Sequence, residues 1–247
     1  MMDPEEFPVL QYTMQLYYHT LKMGIGEDPP IQIASGILIK GLSKFYLLTC
    51  KHVFDNIRPD DVIILTSGGF SIRLPNEVKF IDGGNDSIDL ALIQIKNERL
   101  KELKSRYSFL PYSNLGFNHI FDEELFYMLF GFVNKKTSLK NHAFYVGSFG
   151  YLTGIRRYRK IEKLGFNYDN NVTLEYSRKQ GDFSDDDVRQ LGYRDLKGMS
   201  GDGIWLSVAR KKPDTFKYIL VGIMIEERID RGFVIGTKVS LIEKEVK

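Results

Sequence analysis

Leu196-Lys197-Gly198-Met199-Ser200-Gly201-Asp202-Gly203-Ile204-Trp205 joins a glycine-rich turn to an apolar run late in the chain. A serine stands among glycines, and an apolar, strand-like run follows. Glycine lets a backbone turn sharply and lets a second chain approach closely. Such a turn also leaves backbone N–H groups free to meet a developing negative charge. The same Gly-x-Ser-Gly pattern occurs in ordinary turns, so the stretch by itself leaves both readings open.

The rest of the chain narrows the choice. At 247 residues it holds one large domain or two small ones, and its 27% charged and 43% hydrophobic residues are ordinary for a globular protein. A net charge of +2 is too small to argue for nucleic acid or for an anionic membrane surface as partner. No window approaches the roughly 18 apolar residues that a membrane helix requires. Met1-Met2-Asp3-Pro4-Glu5-Glu6 is acidic and does not read as a secretory signal. The one cysteine, Cys50, excludes an intramolecular disulfide and suits a reducing compartment. A cytoplasmic protein is expected.

Upstream, Asp3-Pro4-Glu5-Glu6 has the residues of a helix start, and Leu10, Met14, Tyr17 and Leu21 recur at helical spacing. An amphipathic helix of about 15–20 residues is therefore expected within the first 28, packed on the main body, with docking of a regulatory protein as its alternative role. From Ile31 the pattern becomes β: Ile31–Lys40, Lys44–Cys50, Val62–Thr66, Phe70–Leu74, Glu77–Ile81 and Ile88–Ile95. Asn97 to Tyr107 reads as a short helix or linker. Leu125–Phe132, Ala143–Leu152, Val172–Tyr176, Tyr218–Ile225 and Gly232–Val239 follow as strands, and Ser240–Lys247 as a short helix. Arg156-Arg157-Tyr158-Arg159-Lys160 reads as a solvated basic face. The acidic stretch Gly181–Asp187 matches no Ca²⁺-loop spacing, and no metal site is expected.

Two further residues have the types that would activate Ser200. His52 follows directly on a strand in Leu48-Thr49-Cys50-Lys51-His52-Val53, and Asp89 heads the apolar run Asp89-Leu90-Ala91-Leu92-Ile93. A serine hydroxyl is a weak nucleophile at neutral pH and needs an adjacent base. Histidine can take and return its proton, and a carboxylate fixes the imidazole tautomer. Each residue also has a plainer reading: His52 as strand-end packing, Asp89 as a turn acid for which Asp86 competes. His19, His119 and His142 have no matching flanks and read as structural.

With these stretches in the order His, Asp, Ser, residues 31–238 resemble the trypsin-like, chymotrypsin-fold serine peptidases. Thr49-Cys50-Lys51-His52-Val53, Asp89-Leu90-Ala91-Leu92 and Gly198-Met199-Ser200-Gly201-Asp202-Gly203 are similar to the three catalytic stretches of that family. Leu220-Val221-Gly222-Ile223 and Gly232-Phe233-Val234 resemble the strands that flank its specificity pocket. The resemblance implies a mainly all-β protein of two six-stranded antiparallel β-barrels, residues 29–115 and 116–247, with an added N-terminal helix over 1–28 and a short C-terminal helix. It implies Ser200 as nucleophile, His52 as general base, Asp89 as orienting carboxylate, and the N–H groups of Gly198 and Ser200 as oxyanion hole. Arg194, Glu226, Glu227 and Gly232 would line the substrate pocket. The cation and the two acids pull in opposite directions, so no residue preference is expected. No metal or organic cofactor is implied.

The chain departs from the family where Met199 replaces an aspartate that pairs with a released N-terminus, so activation by that route is not expected. Asp202 and Gly203 replace a glycine and a proline. A serine endopeptidase acting on proteins or peptides is expected, in a bacterial stress or defence setting by analogy with an intracellular branch of the family. The alternative is an inactive pseudo-peptidase that binds peptides. An esterase of the α/β-hydrolase type is disfavoured by the order of the three residues.

Overall fold

The computed structural model describes residues 8–18, 30–65, 71–75, 77–81, 87–133, 138–140, 143–145, 148–177, 196–209 and 216–247. Two antiparallel sheets dominate it. The first is built from β1 (Thr13–Tyr18), β2 (Ile31–Lys40), β3 (Phe45–Thr49), β4 (Val62–Leu65), β5 (Ser71–Arg73), β6 (Lys79–Ile81) and β7 (Leu90–Ile95). Helix α1 (Asn97–Lys104) then leads to β8 (Leu110–Pro111), which pairs parallel to β2. The order across the sheet is β5-β4-β1-β2-β3-β7-β6. The two edge strands, β5 and β6, are neighbours in sequence, so the sheet curls back towards itself as a half-barrel.

A second, six-stranded sheet follows. Its strands are β9 (Tyr127–Phe132), β12 (Ser148–Thr153), β13 (Asn171–Glu175), β14 (Gly203–Ala209), β15 (Phe216–Arg228) and β16 (Phe233–Lys238). Between them β10 (Ser138–Lys140) and β11 (Ala143–Tyr145) form a separate hairpin. The sheet order is β12-β9-β14-β15-β16-β13. Among the described residues its edges meet at an isolated bridge, Ile155 with Leu174, and not along a continuous ladder, so the barrel is not closed. A 3-10 turn over Val239–Ile242 and helix α2 (Glu243–Val246) end the chain, close to the terminal helix that the sequence predicts. No helix among the described residues is long and apolar enough to cross a membrane.

Two cores hold the sheets together. One lies within the second sheet and includes Tyr127, Leu129, Val172, Leu174, Met199, Ile204, Val221, Met224 and Val234. The other fills the first sheet and continues onto the opposite face of the second, through Phe130, Trp205, Leu220, Ile223, Ile225 and Phe233. Trp205, at the end of the stretch quoted first, is fully buried there. This alternation of faces along β14 and β15 follows from the two-residue period of a strand.

The predicted N-terminal helix is corrected over residues 8–18. Pro8–Tyr12 is a 3-10 turn and Thr13–Tyr18 is a strand, hydrogen-bonded to β2 on one side and to β4 on the other. Residues 13–18 thus belong to the first sheet, not to a docking extension. Helical spacing of Leu10, Met14 and Tyr17 is a short-range signal worth tenths of a kcal/mol per residue. The sheet outweighs it by burying Met14 and Leu16 completely and by pairing the backbone on both edges. It also satisfies buried polar groups. Gln15 donates to Gln32 Oε1 at 2.9 Å, and the Tyr17 hydroxyl donates to Gln15 Oε1 at 2.8 Å.

Candidate active site

The site begins with strand register. The β3–β7 ladder pairs Thr49 with Ala91. It therefore brings the residues just after β3 beside the residue just before β7. Cys50 leads into a 3-10 turn over Lys51–Phe54, which carries His52, and Asp89 immediately precedes Leu90. Asp89 accepts two hydrogen bonds from His52: Oδ1 from the backbone N–H at 2.9 Å, and Oδ2 paired with ring Nδ1 at 2.5 Å. One Asp89 oxygen thereby holds the His52 backbone and the other its imidazole. The Asp89 hydrogen bond holds His52 above the ordinary histidine pKa, against the opposing effect of burial. Asp55 and Glu226 add to the rise.

The serine stretch is fixed by a seam between the two sheets. Ser35 of β2 donates its N–H to Ser200 O at 2.8 Å and its hydroxyl to Gly198 O at 3.0 Å. Thr49 in turn donates to Ser35 O at 2.7 Å. On the other side Gly201 N–H donates to Met224 O at 2.9 Å, and Met224 N–H to Asp202 O at 2.8 Å. Gly201 has φ +93°, and a Cβ there would overlap the Ser35 carbonyl oxygen. Only glycine fits. Gly198 has φ +98°. Neither the Gly198 nor the Ser200 N–H donates a hydrogen bond among the described residues. The Ser200 hydroxyl lies 3.5 Å from Ile225 O, and no hydrogen bond joins it to His52 among the described residues.

The two departures in the loop have structural counterparts. Met199 is completely buried in the second core, among apolar side chains. Asp202 is also buried. Its Oδ2 accepts from Phe132 N–H at 3.0 Å, and its Oδ1 has no hydrogen-bond partner among the described residues. Burial pushes this carboxyl well above the usual carboxylate range, which favours its neutral form. Phe132 O accepts from Gln32 at 3.1 Å, so the buried polar chain from β1 runs to the serine loop.

The residues expected to line a substrate pocket are engaged in different ways. Glu226 pairs with Arg228 at 2.8 Å, and Glu227 accepts from Leu196 N–H at 2.9 Å. Gly232, at φ +68°, has Arg156 against it, whose guanidinium donates to Gly232 O at 2.9 Å. The sequence places Arg156 on a solvated basic face and gives no hint of this contact. Arg228 and Ser35 are likewise recognisable only in three dimensions. Arg194, His19, His142, Asp86 and the acidic stretch Gly181–Asp187 lie outside the described residues. His119 sits in an aromatic cluster, where its Nε2 is 3.1 Å from the Tyr127 hydroxyl and burial lowers its pKa.

No protein-family model and no curated protein matches the chain. Among solved structures it is similar to the scabies mite inactivated protease paralogue S-I1. The two are 14% identical, with a TM-score of 0.56, and the match covers 96% of this chain and 93% of that one. At that identity the likeness establishes the fold alone. Two antiparallel sheets in this order, with that neighbour, make this a protein of the chymotrypsin-like protease fold.

Proposed function

We propose that the protein is a serine endopeptidase that cleaves protein or peptide substrates through an acyl-enzyme. The observation that carries this reading is the double hydrogen bond from His52 to Asp89, beside a serine loop whose Gly198 and Ser200 N–H groups donate no hydrogen bond among the described residues. In the proposed reaction Ser200 Oγ attacks the substrate carbonyl while His52 Nε2 takes its proton. Asp89 holds the Nδ1–H tautomer and stabilises the imidazolium that forms. The Gly198 and Ser200 N–H groups receive the charge on the carbonyl oxygen. His52 returns the proton to the leaving amine, and water repeats the sequence on the acyl-enzyme. Beyond Ile223, β15 has only β16 as a strand partner among the described residues. The other edge of Ile225–Arg228 is thus available to an extended peptide beside Ser200.

One observation favours a second reading, a peptide-binding module without turnover. The serine hydroxyl faces Ile225 O, not His52. In the peptidase reading that hydroxyl rotates onto Nε2 when substrate binds, since catalytic hydrogen bonds often tighten only in the complex. Covalent labelling of Ser200 by a fluorophosphonate separates the two readings.

A further inference from the structure

The proposed base shares its pocket with a thiol. Cys50 is completely buried, and its Sγ, a His52 ring nitrogen and an Asp89 carboxylate oxygen all lie within 4.8 Å of one another. A sulfur, an imidazole nitrogen and a carboxylate oxygen form the mixed donor set that suits Zn²⁺. We propose that Cys50, His52 and Asp89 form an inhibitory zinc site that switches the proposed peptidase off. The inhibition rests on the peptidase reading; the metal site does not.

The geometry asks for small movements. At ordinary zinc–ligand lengths, donors in a tetrahedron stand roughly 3.4–3.8 Å apart. His52 Nδ1 and Asp89 Oδ2, now 2.5 Å apart, must separate by about 1 Å to admit the ion between them. Cys50 closes in from the buried side. His52 is 42% exposed, which opens a path from solvent and leaves the fourth position to water.

The chemistry explains why the ion inhibits. The Cys50 S–H, which now donates to Met224 O at 3.2 Å, breaks as the S–Zn bond forms, and its proton leaves to solvent. Met224 O keeps the Gly201 N–H as donor. The Nδ1 lone pair is needed for the metal, so the ring proton moves to Nε2. An Nε2–H imidazole cannot accept the Ser200 proton. Zinc therefore leaves His52 in place and fixes the wrong tautomer. One zinc binds per chain, with net release of one proton.

The test uses the reduced full-length chain with Co²⁺ as a spectroscopic stand-in and Zn²⁺ by calorimetry. The expected result is a near-ultraviolet sulfur-to-cobalt charge-transfer band. One equivalent of zinc abolishes it, and Cys50→Ala and Cys50→Ser both lack it. Zinc affinity falls at least tenfold in both variants. Zinc also slows fluorophosphonate labelling of the parent chain far more than that of either variant, each compared with its own zinc-free rate. Absence of the band in the parent chain overturns the site, as does zinc affinity that both variants keep. A band that depends on Cys50, in a chain that no fluorophosphonate labels even without zinc, keeps the site and rejects the peptidase reading.

Discussion

Gly131 lies directly under the Asp202 carboxyl, so that a Cβ at position 131 would overlap the carboxyl group. The two residues are 70 positions or so apart in sequence, on β9 and on the serine loop, and each is shaped to the other. A buried acid at 202 needs a bare backbone opposite it and takes the neighbouring Phe132 N–H as donor.

This contact predicts strong coupling. Gly131→Ala is expected to destabilise the protein, and Asp202→Gly to relieve the clash. In a double-mutant cycle read by thermal or urea unfolding, the pair should show a coupling of about 0.5–3 kcal/mol. Additive effects would remove Asp202 from the role of clamp between the loop and β9.

Asp202 also predicts a pH dependence. Its folded pKa is raised by burial, so it opposes folding progressively as pH climbs from the unfolded carboxylate value towards the folded one. Asp202→Asn keeps an acceptor for Phe132 N–H and removes that dependence. The variant is expected to be more stable than the parent chain at pH 8 by roughly 1–3 kcal/mol, with the difference shrinking towards pH 4. Parallel stability curves for the two proteins would contradict this.

Met199 predicts intolerance of charge. It is fully buried in the second core. Met199→Asp places an unpaired carboxylate there and is expected to cost on the order of 3–5 kcal/mol. Near-neutral stability of that variant would mean that a cationic partner reaches the loop.

The His52–Asp89 pair predicts the acid limb of any activity. A raised histidine pKa means that the neutral, proton-accepting form appears only above the ordinary histidine value. The pair's contribution to stability has the opposite sense: full when His52 is protonated, below the ordinary value, and lost as pH rises through the raised one. The rate of Ser200 labelling should therefore rise with pH through a midpoint above that of a free histidine. Asp89→Asn should lower both the midpoint and the rate, the rate by about 10⁴-fold. A midpoint that Asp89→Asn leaves in place would assign the limb to another group.

Much of the fold was legible in the sequence because its strands are short, apolar runs bounded by turn residues. Val62–Leu65, Leu90–Ile95 and Phe233–Lys238 match the sequence reading almost residue for residue. Thr13–Tyr18 was not legible, because its capping acids and spacing are local while the pairing with β2 and β4 that decides its state is not. The sequence named His52, Asp89 and Ser200, and the structure joins the first two by hydrogen bonds. It could not name Ser35, Arg156 or Gly131, since each acts through a contact with a residue far away in the chain. Nor could it tell that Asp202 is buried, because the β9 backbone that packs on it is far away in the chain.

In the proposed mechanism Ser200 is a nucleophile activated by His52. Mass spectrometry of the full chain after exposure to a fluorophosphonate, with zinc chelated, tests it most directly. One covalent adduct, mapped to Ser200, is expected, with no adduct in Ser200→Ala or His52→Ala variants that remain folded. No adduct on the folded parent chain, or an adduct that persists in Ser200→Ala, would contradict it.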